Sequence, residues 1–208
     1  MLKKRPLCVV RIVDDDAGVR DSYRFLIESD GWLVKTYRDA EDFMDNDDNS
    51  IPGCGVFDVR MPGLSGLELQ EYMNRIANHL PVIFISAHAN VEMVVRAMRN
   101  GALDFLPKPV EEEKLLAAIE KAVELSFSTK EADEALDDMR RRWETLSQRE
   151  KETAQWVARG QLNKLIADAM AISERTVQVH RANAYQKLGV KNAVELSKVL
   201  DMIGVPAK

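Results

Sequence analysis

The 208-residue sequence has little cysteine and no long apolar run, which argues against a disulfide-rich protein and against a membrane protein. Its two cysteines, Cys8 and Cys54, lie in apolar, strand-like segments and lack the pattern of a disulfide framework. The longest apolar stretches, such as residues 80–87, are far shorter than the roughly 20 residues that a membrane-spanning helix needs. Near the N-terminus, Arg11 and three aspartates interrupt the only segment that resembles a signal peptide. We therefore expect a cytoplasmic protein without a membrane segment.

Repeats and low-complexity tracts are also missing, and the composition is that of a folded chain. Hydrophobic residues make up 46% of the sequence and charged residues 30%, which excludes collagen-like and disordered proteins. Residues 1–144 contain 19 basic and 28 acidic residues, whereas residues 145–208 contain 10 basic and 6 acidic residues. This asymmetry favours two domains, the second of which binds a polyanion, although a basic surface that only faces water remains an alternative.

Short apolar runs alternate with amphipathic segments through the first 125 residues. The pattern predicts strands over residues 8–13, 32–37, 56–58, 82–86 and 104–106. It predicts helices near residues 19–29, 40–44, 66–78 and 91–100, and a fifth helix that begins at Glu111. Such alternation predicts an α/β domain in which helices cover both faces of a doubly wound parallel sheet.

The fifth helical pattern continues to about residue 143 and carries a narrow apolar stripe. Ala132, Leu136, Met139 and Trp143 recur at spacings of four, three and four residues. A stripe this narrow favours a linker helix that pairs with another chain. Packing of the helix on its own domain remains the alternative.

The rest of the sequence predicts an all-α domain of four short helices. Ser147 and Glu150 form a capping box at the start of the first helix, and Gly160 ends it. Ser173 caps the third helix and Gly189 ends it. A short turn at residues 171–173 joins the second helix to the third, which predicts a helix-turn-helix.

A set of polar residues follows or ends the predicted strands of the first domain. In a doubly wound sheet, ligands bind beyond the carboxyl ends of the strands. Crowded carboxylates there suit a hard cation such as Mg²⁺, and lysine and serine suit phosphoryl oxygens. Asp58 could then carry a phosphoryl group as a nucleophile. Each residue alone has a simpler explanation, so the prediction depends on the joint placement of Asp14, Asp15, Asp58, Ser86 and Lys108.

Four segments resemble the receiver domain of two-component response regulators in order and spacing. They are VDDD (residues 13–16), FDVRMPGLSG (57–66), ISAH (85–88) and DFLPKP (104–109). The resemblance implies that Asp58 is the phospho-acceptor and that Mg²⁺ assists the transfer. The resemblance also implies a set of metal ligands, which are Asp15, Asp58, the backbone carbonyl of Arg60 and, through a water molecule, Asp14.

The same resemblance implies roles for residues around the acceptor. Lys108 would hold the phosphoryl group, and Ser86 would move to meet it. Phe105 would be the aromatic switch that is coupled to this movement. The peptide bond between Lys108 and Pro109 is expected to be cis.

Two further positions lie where members of the family differ. Arg60 and His88 are two residues beyond Asp58 and Ser86, in positions that tune the lifetime of the phosphoryl group. A loop histidine in water explains His88 equally well.

The third helix of the C-terminal domain has two distinct faces. Val177, His180, Ala184 and Leu188 are expected to pack inward. The opposite face combines apolar residues with glutamine, which suits base edges of DNA, and flanking residues suit phosphates. A protein-binding helical bundle remains an alternative. The predicted DNA contacts are Arg175, Thr176, Gln178, Val179 and Ala182, flanked by Asn163, Lys164, Arg181, Lys187 and Lys191.

Residues 146–190 resemble the LuxR-type helix-turn-helix in the blocks LSQRE, NKLIA, SERTVQVHR and KLGV. One departure is Leu165, where many relatives have glutamate. Together the two resemblances cover nearly the whole chain and are typical of the NarL/FixJ class of response regulators, especially the FixJ branch. They imply a receiver over residues 1–125, a helical linker over 126–143 and a DNA-binding domain over 144–208.

This class implies a bacterial transcription regulator rather than an enzyme. A sensor histidine kinase would phosphorylate it, and a homodimer favoured by phosphorylation would bind double-stranded promoter DNA. RNA polymerase is a further candidate partner. Two other functions stay open at this point. An aspartate-dependent phosphohydrolase would need a substrate pocket and a general acid that the sequence does not indicate, and a protein-binding adaptor would use the tail without DNA.

Overall fold

The computed structural model describes residues 7–87 and 89–207, and the chain forms two compact units. The first unit extends to Lys130 and the second begins at Glu131. Among the described residues of the first unit, strands and helices alternate as predicted. In chain order they are β1 (Val9–Val13), α1 (Ala17–Ser29), β2 (Leu33–Tyr37), α2 (Ala40–Asn46), β3 (Gly53–Asp58), α3 (Gly66–Arg75), β4 (Val82–Ser86), α4 (Val91–Arg99), β5 (Asp104–Pro107) and α5 (Glu112–Glu144).

The strands form one parallel sheet in the order β2-β1-β3-β4-β5. Successive residues of a strand point to opposite faces, so Val56 packs in one apolar cluster and Phe57 in the other. All six residues of β3 are buried, which is typical of a strand covered by helices on both faces. The doubly wound sheet is therefore confirmed. Its strand order reverses between β1 and β3, where such sheets bind ligands.

Two boundaries differ from the prediction by three residues, and local backbone geometry explains both. β3 begins at Gly53 and not at residue 56. The apolar pattern missed the start of the strand because glycine has no apolar side chain. A Cβ at Gly53 would lie 1.9 Å from the carbonyl oxygen of Val9, so the close approach of β1 requires glycine. α3 ends at Arg75 and not at residue 78, because Ala77 has a φ of 53° that no α-helix contains.

Arg11 of β1 is a buried arginine that holds the loop between α2 and β3. Its Nε lies 2.8 Å from Oδ1 of Asp47, which also accepts a hydrogen bond from the Tyr37 hydroxyl at 2.5 Å. Its Nη2 donates to the carbonyl oxygens of Asp48 at 2.8 Å and Ile51 at 2.9 Å. A buried charge is tolerated when it is paired and fully hydrogen-bonded, so these contacts fix a polar loop against the sheet.

Helix α5 continues without a break through the predicted domain boundary at residue 125. Ser126 lies beyond that boundary, and its Oγ accepts a hydrogen bond from the Gly53 N–H at 3.0 Å. Lys130 donates to the carbonyl oxygen of Ser50 at 2.9 Å. These contacts favour a limit of the first unit after Lys130, while the limits at 125 and 143 stay predictions.

The second unit contains the four predicted short helices: α6 (Gln148–Ala158), α7 (Asn163–Met170), α8 (Glu174–Leu188) and α9 (Ala193–Met202). The capping box of Ser147 and Glu150 is present, and Ser173 caps α8. Gly189 ends α8 with a φ of 72°, a left-handed conformation that favours glycine. In the part of the chain that the structure describes, no helix has both the length and the apolar character needed to cross a bilayer.

The apolar stripe at the end of α5 packs inside the second unit. Trp143 is buried in the core of this unit, and Leu136 and Met139 pack against that core. Ala132 is exposed. The structure therefore supports packing within the chain, the alternative considered above, over a stripe that faces another chain.

Candidate functional site

Two aspartates lie side by side at the carboxyl edge of the sheet. Val13 of β1 is paired with Phe57 of β3, so the residues that follow them, Asp14 and Asp58, are neighbours. Both are buried, with exposed fractions of 3% and 7%. Strand pairing therefore places two carboxylates, far apart in sequence, in one poorly hydrated space.

The side chain of Lys108 lies between these carboxylates. Its Nζ is 2.7 Å from Oδ2 of Asp14 and 2.6 Å from Oδ1 of Asp58. Lys108 directly follows β5, and its N–H donates to the carbonyl oxygen of Ser86 at 2.8 Å. The peptide bond to Pro109 is cis, as predicted. One ammonium thus faces two carboxylates, which leaves the site with an excess of negative charge.

Backbone N–H groups complete the hydrogen bonding of the two aspartates. Oδ2 of Asp58 accepts from the Arg60 N–H at 2.6 Å, and Oδ1 of Asp14 accepts from the Asp16 N–H at 2.9 Å. Burial raises the pKa of Asp58, against the opposing effects of Lys108 and the Arg60 amide. Burial would lower the pKa of Lys108, but its hydrogen bonds to both aspartates outweigh it and raise that pKa. Lys108 therefore stays protonated beside a partly desolvated carboxylate.

The other predicted site residues surround this group. Asp15 is exposed beside Asp14, and Ser86 is buried at the end of β4. Phe105 of β5 is half-buried, with its ring centroid 6.1 Å from that of Phe84. His88, predicted to tune the phosphoryl group, lies outside the described residues.

The donor chemistry of the site fits a magnesium ion. Mg²⁺ prefers oxygen ligands from one or two carboxylates and keeps several waters. Among the described residues, no three histidine, cysteine, aspartate or glutamate side chains form a ready-made metal cluster. The predicted coordination needs fewer side chains, namely Asp15 and Asp58 with the backbone carbonyl of Arg60. The excess negative charge left by Lys108 suits a cation of this kind.

Two residues without a predicted role also contact the site. Nη1 of Arg20, on α1, donates to the carbonyl oxygen of Asp14 at 2.6 Å. A Cβ at Gly66 would lie 2.2 Å from the carbonyl oxygen of Asp58, so only glycine lets α3 begin this close to β3. Neither contact leaves a signal in hydrophobic periodicity, because each involves a backbone carbonyl.

In the second unit, α8 presents the exposed face that the sequence predicted. Val177, Ala184 and Leu188 are buried, and His180 is half-buried. On the opposite face, four exposed residues line one shallow depression: Arg175, Gln178, Val179 and Ala182. The face is thus accessible along about two helical turns.

The flanking residues divide into two groups. Asn163, Lys164 and Arg181 line a second depression beside α7, and the exposed Lys191 follows α8. Arg181 also donates from Nε to the Tyr185 hydroxyl at 3.2 Å. The half-buried Thr176 is hydrogen-bonded to Ser173 at the start of α8 and lines neither of these two depressions.

Lys187 has a contact within the unit that the sequence did not predict. Its Nζ lies 2.7 Å from Oε2 of Glu150 and 3.2 Å from the carbonyl oxygen of Thr145. Burial would raise the pKa of Glu150, but hydrogen bonds from Lys187 and Ser147 lower the pKa to about 2. The ammonium is therefore engaged in holding α8 to α6, and the predicted phosphate contact of Lys187 stays a prediction.

We expect Glu150→Gln to lower the free energy of unfolding of the second unit by about 1–3 kcal/mol at pH 7. Because folding lowers the pKa of Glu150, its ionised form stabilises the fold above the unfolded pKa of about 4.3. That contribution is lost as the pH falls toward 2, so the difference between the two proteins should shrink below about pH 4. Urea unfolding at several pH values measures it.

The matched control is Glu68→Gln, which alters an exposed capping box in which the Glu68 carboxylate accepts hydrogen bonds from the Ser65 N–H and hydroxyl. Glu68→Gln should lower the free energy of unfolding less than Glu150→Gln does. A Glu150→Gln deficit that persists unchanged at pH 3 would show that the ionised contact is not its cause.

Comparisons with known proteins agree with both units. Residues 10–120 match the family model described as the response regulator receiver domain. Residues 144–200 match the model described as bacterial regulatory proteins, luxR family. The two matches cover the sheet-containing unit and the four-helix unit.

Individual relatives resemble the chain over nearly its full length. Response regulator protein TodT of Pseudomonas putida is 37% identical over 94% of this chain and 86% of its own length. Transcriptional regulatory protein FixJ of Bradyrhizobium diazoefficiens is also 37% identical, over 94% of this chain and 96% of its own length.

Solved structures give the same result. The response regulator StyR is 41% identical with a TM-score of 0.82, covering 94% of this chain and 99% of its own. Full-length FixJ from B. japonicum is 36% identical with a TM-score of 0.56, covering 95% and 97% of the two chains. The family predicted from the sequence is therefore confirmed: the chain belongs to the response regulators that join a receiver domain to a LuxR-type DNA-binding domain.

Proposed function

We propose that this transcription regulator accepts a phosphoryl group on Asp58 from a sensor histidine kinase, with Mg²⁺, and that phosphorylation controls its binding to specific DNA sites. The observation that carries the proposal is the position of Lys108 between the buried carboxylates of Asp14 and Asp58. Because its target would be the chromosome, the protein would act in the cytoplasm. RNA polymerase is a further candidate partner at the promoter.

The geometry suits Asp58 as a nucleophile. One carboxylate oxygen would attack the phosphorus of phosphohistidine, so that a P–O bond forms and the P–N bond to the imidazole breaks. The Arg60 N–H holds the second oxygen at 2.6 Å and thereby orients the carboxylate. When bound, Mg²⁺ neutralises charge on the phosphoryl oxygens. Asp15, Asp58 and the Arg60 carbonyl would hold the ion, with Asp14 acting through water.

Lys108 and Ser86 would respond to the new phosphoryl group. The acyl phosphate carries its charge on the phosphoryl oxygens, so the Lys108 ammonium can transfer its contact from the Asp58 carboxylate to them. Ser86 lies at the end of β4, where its carbonyl already accepts the Lys108 N–H. Movement of the Ser86 hydroxyl toward the phosphoryl group would be coupled to movement of Phe105 on the neighbouring strand. Phosphorylation would thereby shift the receiver domain between two conformations.

Such a shift would favour self-association through the surface around α4 and β5. Val91, Val95 and Met98 are large apolar residues exposed on α4. Apolar side chains that lie together on a surface are typical of an interaction site. A homodimer would present two copies of α8 to two half-sites of promoter DNA.

The exposed face of α8 would read the bases. Glutamine can form two hydrogen bonds with adenine, and the exposed Val179 and Ala182 can contact thymine methyl groups. Arg175, in the same depression, would contact guanine or a phosphate. Thr176, Asn163, Lys164, Arg181, Lys187 and Lys191 would contact the DNA backbone around this face.

We expect Gln178→Ala to cost about 1–3 kcal/mol on the preferred site and to relax selection at one or two base pairs. Lys191→Ala should weaken binding to all sequences alike and reduce the salt slope by about one unit. Gln148→Ala, which alters an exposed glutamine on α6, is the control. Affinities for specific and scrambled duplexes at several salt concentrations measure both effects. Equal losses on both duplexes for Gln178→Ala would mean that α8 is not the reader.

The proposed function is tested on the wild-type chain with acetyl phosphate and Mg²⁺. We expect one labelled site, on Asp58, and tighter binding to a subset of genomic fragments, which decreases as salt rises. Labelled protein that binds no duplex would favour the adaptor. Continuous turnover of organic phosphates without a stable label would favour the phosphohydrolase.

A further inference from the structure

We infer that Arg20 is a positioning residue for the magnesium site, because it fixes the peptide that joins Asp14 to Asp15. The inference rests on the proposed magnesium-dependent function. Arg20 lies on α1 and is half-buried, and its Nη1 donates to the Asp14 carbonyl oxygen at 2.6 Å. It would act through Asp15 and would not itself contact the ion.

The side chain of Asp14 is held by other groups. Oδ1 accepts from the Asp16 N–H at 2.9 Å and Oδ2 from Lys108 at 2.7 Å. The N–H of Asp14 donates to the Tyr37 carbonyl oxygen at 3.3 Å. The carbonyl oxygen of Asp14 accepts a hydrogen bond from Nη1 of Arg20, which orients this group.

A peptide group is planar, so the direction of the Asp14 carbonyl also sets the position of the Asp15 Cα. Asp15 is exposed, and its carboxylate is the predicted metal ligand at the edge of the site. Partners that orient metal ligands contribute strongly to metal affinity even though they do not bind the metal. Loss of the Arg20 contact would therefore let the ligand adopt more orientations and weaken binding of the ion.

The charge of Arg20 has the opposite effect on Mg²⁺ affinity. A guanidinium that lies beside a cation site repels the cation, so charge alone predicts tighter Mg²⁺ binding when Arg20 is removed. Positioning predicts weaker binding. The two explanations differ in sign, which makes them separable by one measurement.

The test is the rise in Tm that Mg²⁺ causes in the full chain without a phosphodonor, from which an apparent Kd follows. Arg20→Met keeps the aliphatic packing and removes the donor, and we expect it to weaken Mg²⁺ binding about tenfold. Arg20→Lys restores a donor and should be intermediate. Arg24→Ala is the control, because Arg24 lies one turn farther along α1 and pairs with Asp21.

A second readout is the Mg²⁺ concentration that gives half-maximal labelling by acetyl phosphate, which should shift by the same factor. Tighter Mg²⁺ binding in Arg20→Met would overturn the inference in favour of charge alone. Unchanged Mg²⁺ affinity with a lower free energy of unfolding would reduce Arg20 to a structural role. If the wild-type Tm does not respond to Mg²⁺, the proposed metal site fails, and this inference fails with it.

Discussion

Asp58→Asn is expected to abolish Mg²⁺-dependent labelling by acetyl phosphate while the protein stays folded. Asparagine keeps the size of the side chain but removes the nucleophilic oxygen and one proposed metal ligand. Burial raises the pKa of Asp58, which means that its charge costs free energy in the folded state. A neutral amide at this position is therefore compatible with folding, and the loss of labelling would report chemistry and not unfolding.

Labelling is measured by intact-protein mass spectrometry, and folding by circular dichroism and urea unfolding. Asp45→Asn is the matched control, because Asp45 is an exposed aspartate on α2. It should label like the wild type. Full labelling of folded Asp58→Asn would place the acceptor elsewhere and remove the central claim of the proposed function.

Trp143→Ala is expected to lower the free energy of unfolding of the second unit by about 3–5 kcal/mol. Trp143 is only 7% exposed and belongs to the core that also contains Leu188 and Leu196. Lys151 lies over its ring at 5.7 Å from the centroid. Removal of the ring would leave a cavity in a small core, and DNA binding would be lost with the fold.

Urea unfolding of the full chain measures this loss, with Ala132→Glu as the control. Ala132 belongs to the same stripe in the sequence but is exposed, so its replacement should change little. A fragment that begins at residue 144 lacks Trp143 and should be less stable than one that begins at Glu131. Equal stability of the two fragments would show that the stripe is not part of the folded unit.

The sequence predicted the sheet, and the placement of three polar residues at one edge of it, because both follow from simple spacing. Apolar runs at regular intervals predict strands, and parallel strands bring their carboxyl ends to one edge. Asp14, Asp58 and Lys108 each follow or end such a run, so the spacing alone predicts that they meet at this edge.

Contacts between distant polar residues could not be predicted in this way. Lys187 is paired with Glu150, 37 positions earlier in the chain, and nothing in the periodicity of α8 indicates this partner. Arg20 contacts a backbone carbonyl, and every residue type has such a group, so the sequence does not indicate the contact. For Trp143 the pattern showed an apolar stripe but not which surface covers it, because periodicity defines a face and not its partner.

The buried Arg11 also has a consequence for how this protein can vary. It holds the loop before β3 through the backbone carbonyls of Asp48 and Ile51, and every residue type has such a carbonyl. The contacts at Asp48 and Ile51 therefore place no requirement on the side chains at those positions, whereas Asp47 pairs with Arg11, and Asp48 and Asn49 accept hydrogen bonds through their side chains. Position 11 has no such latitude, since the compact ammonium of lysine cannot match the planar fork of arginine. The conformation of the loop thus depends on a strand residue more than 30 positions away in the sequence.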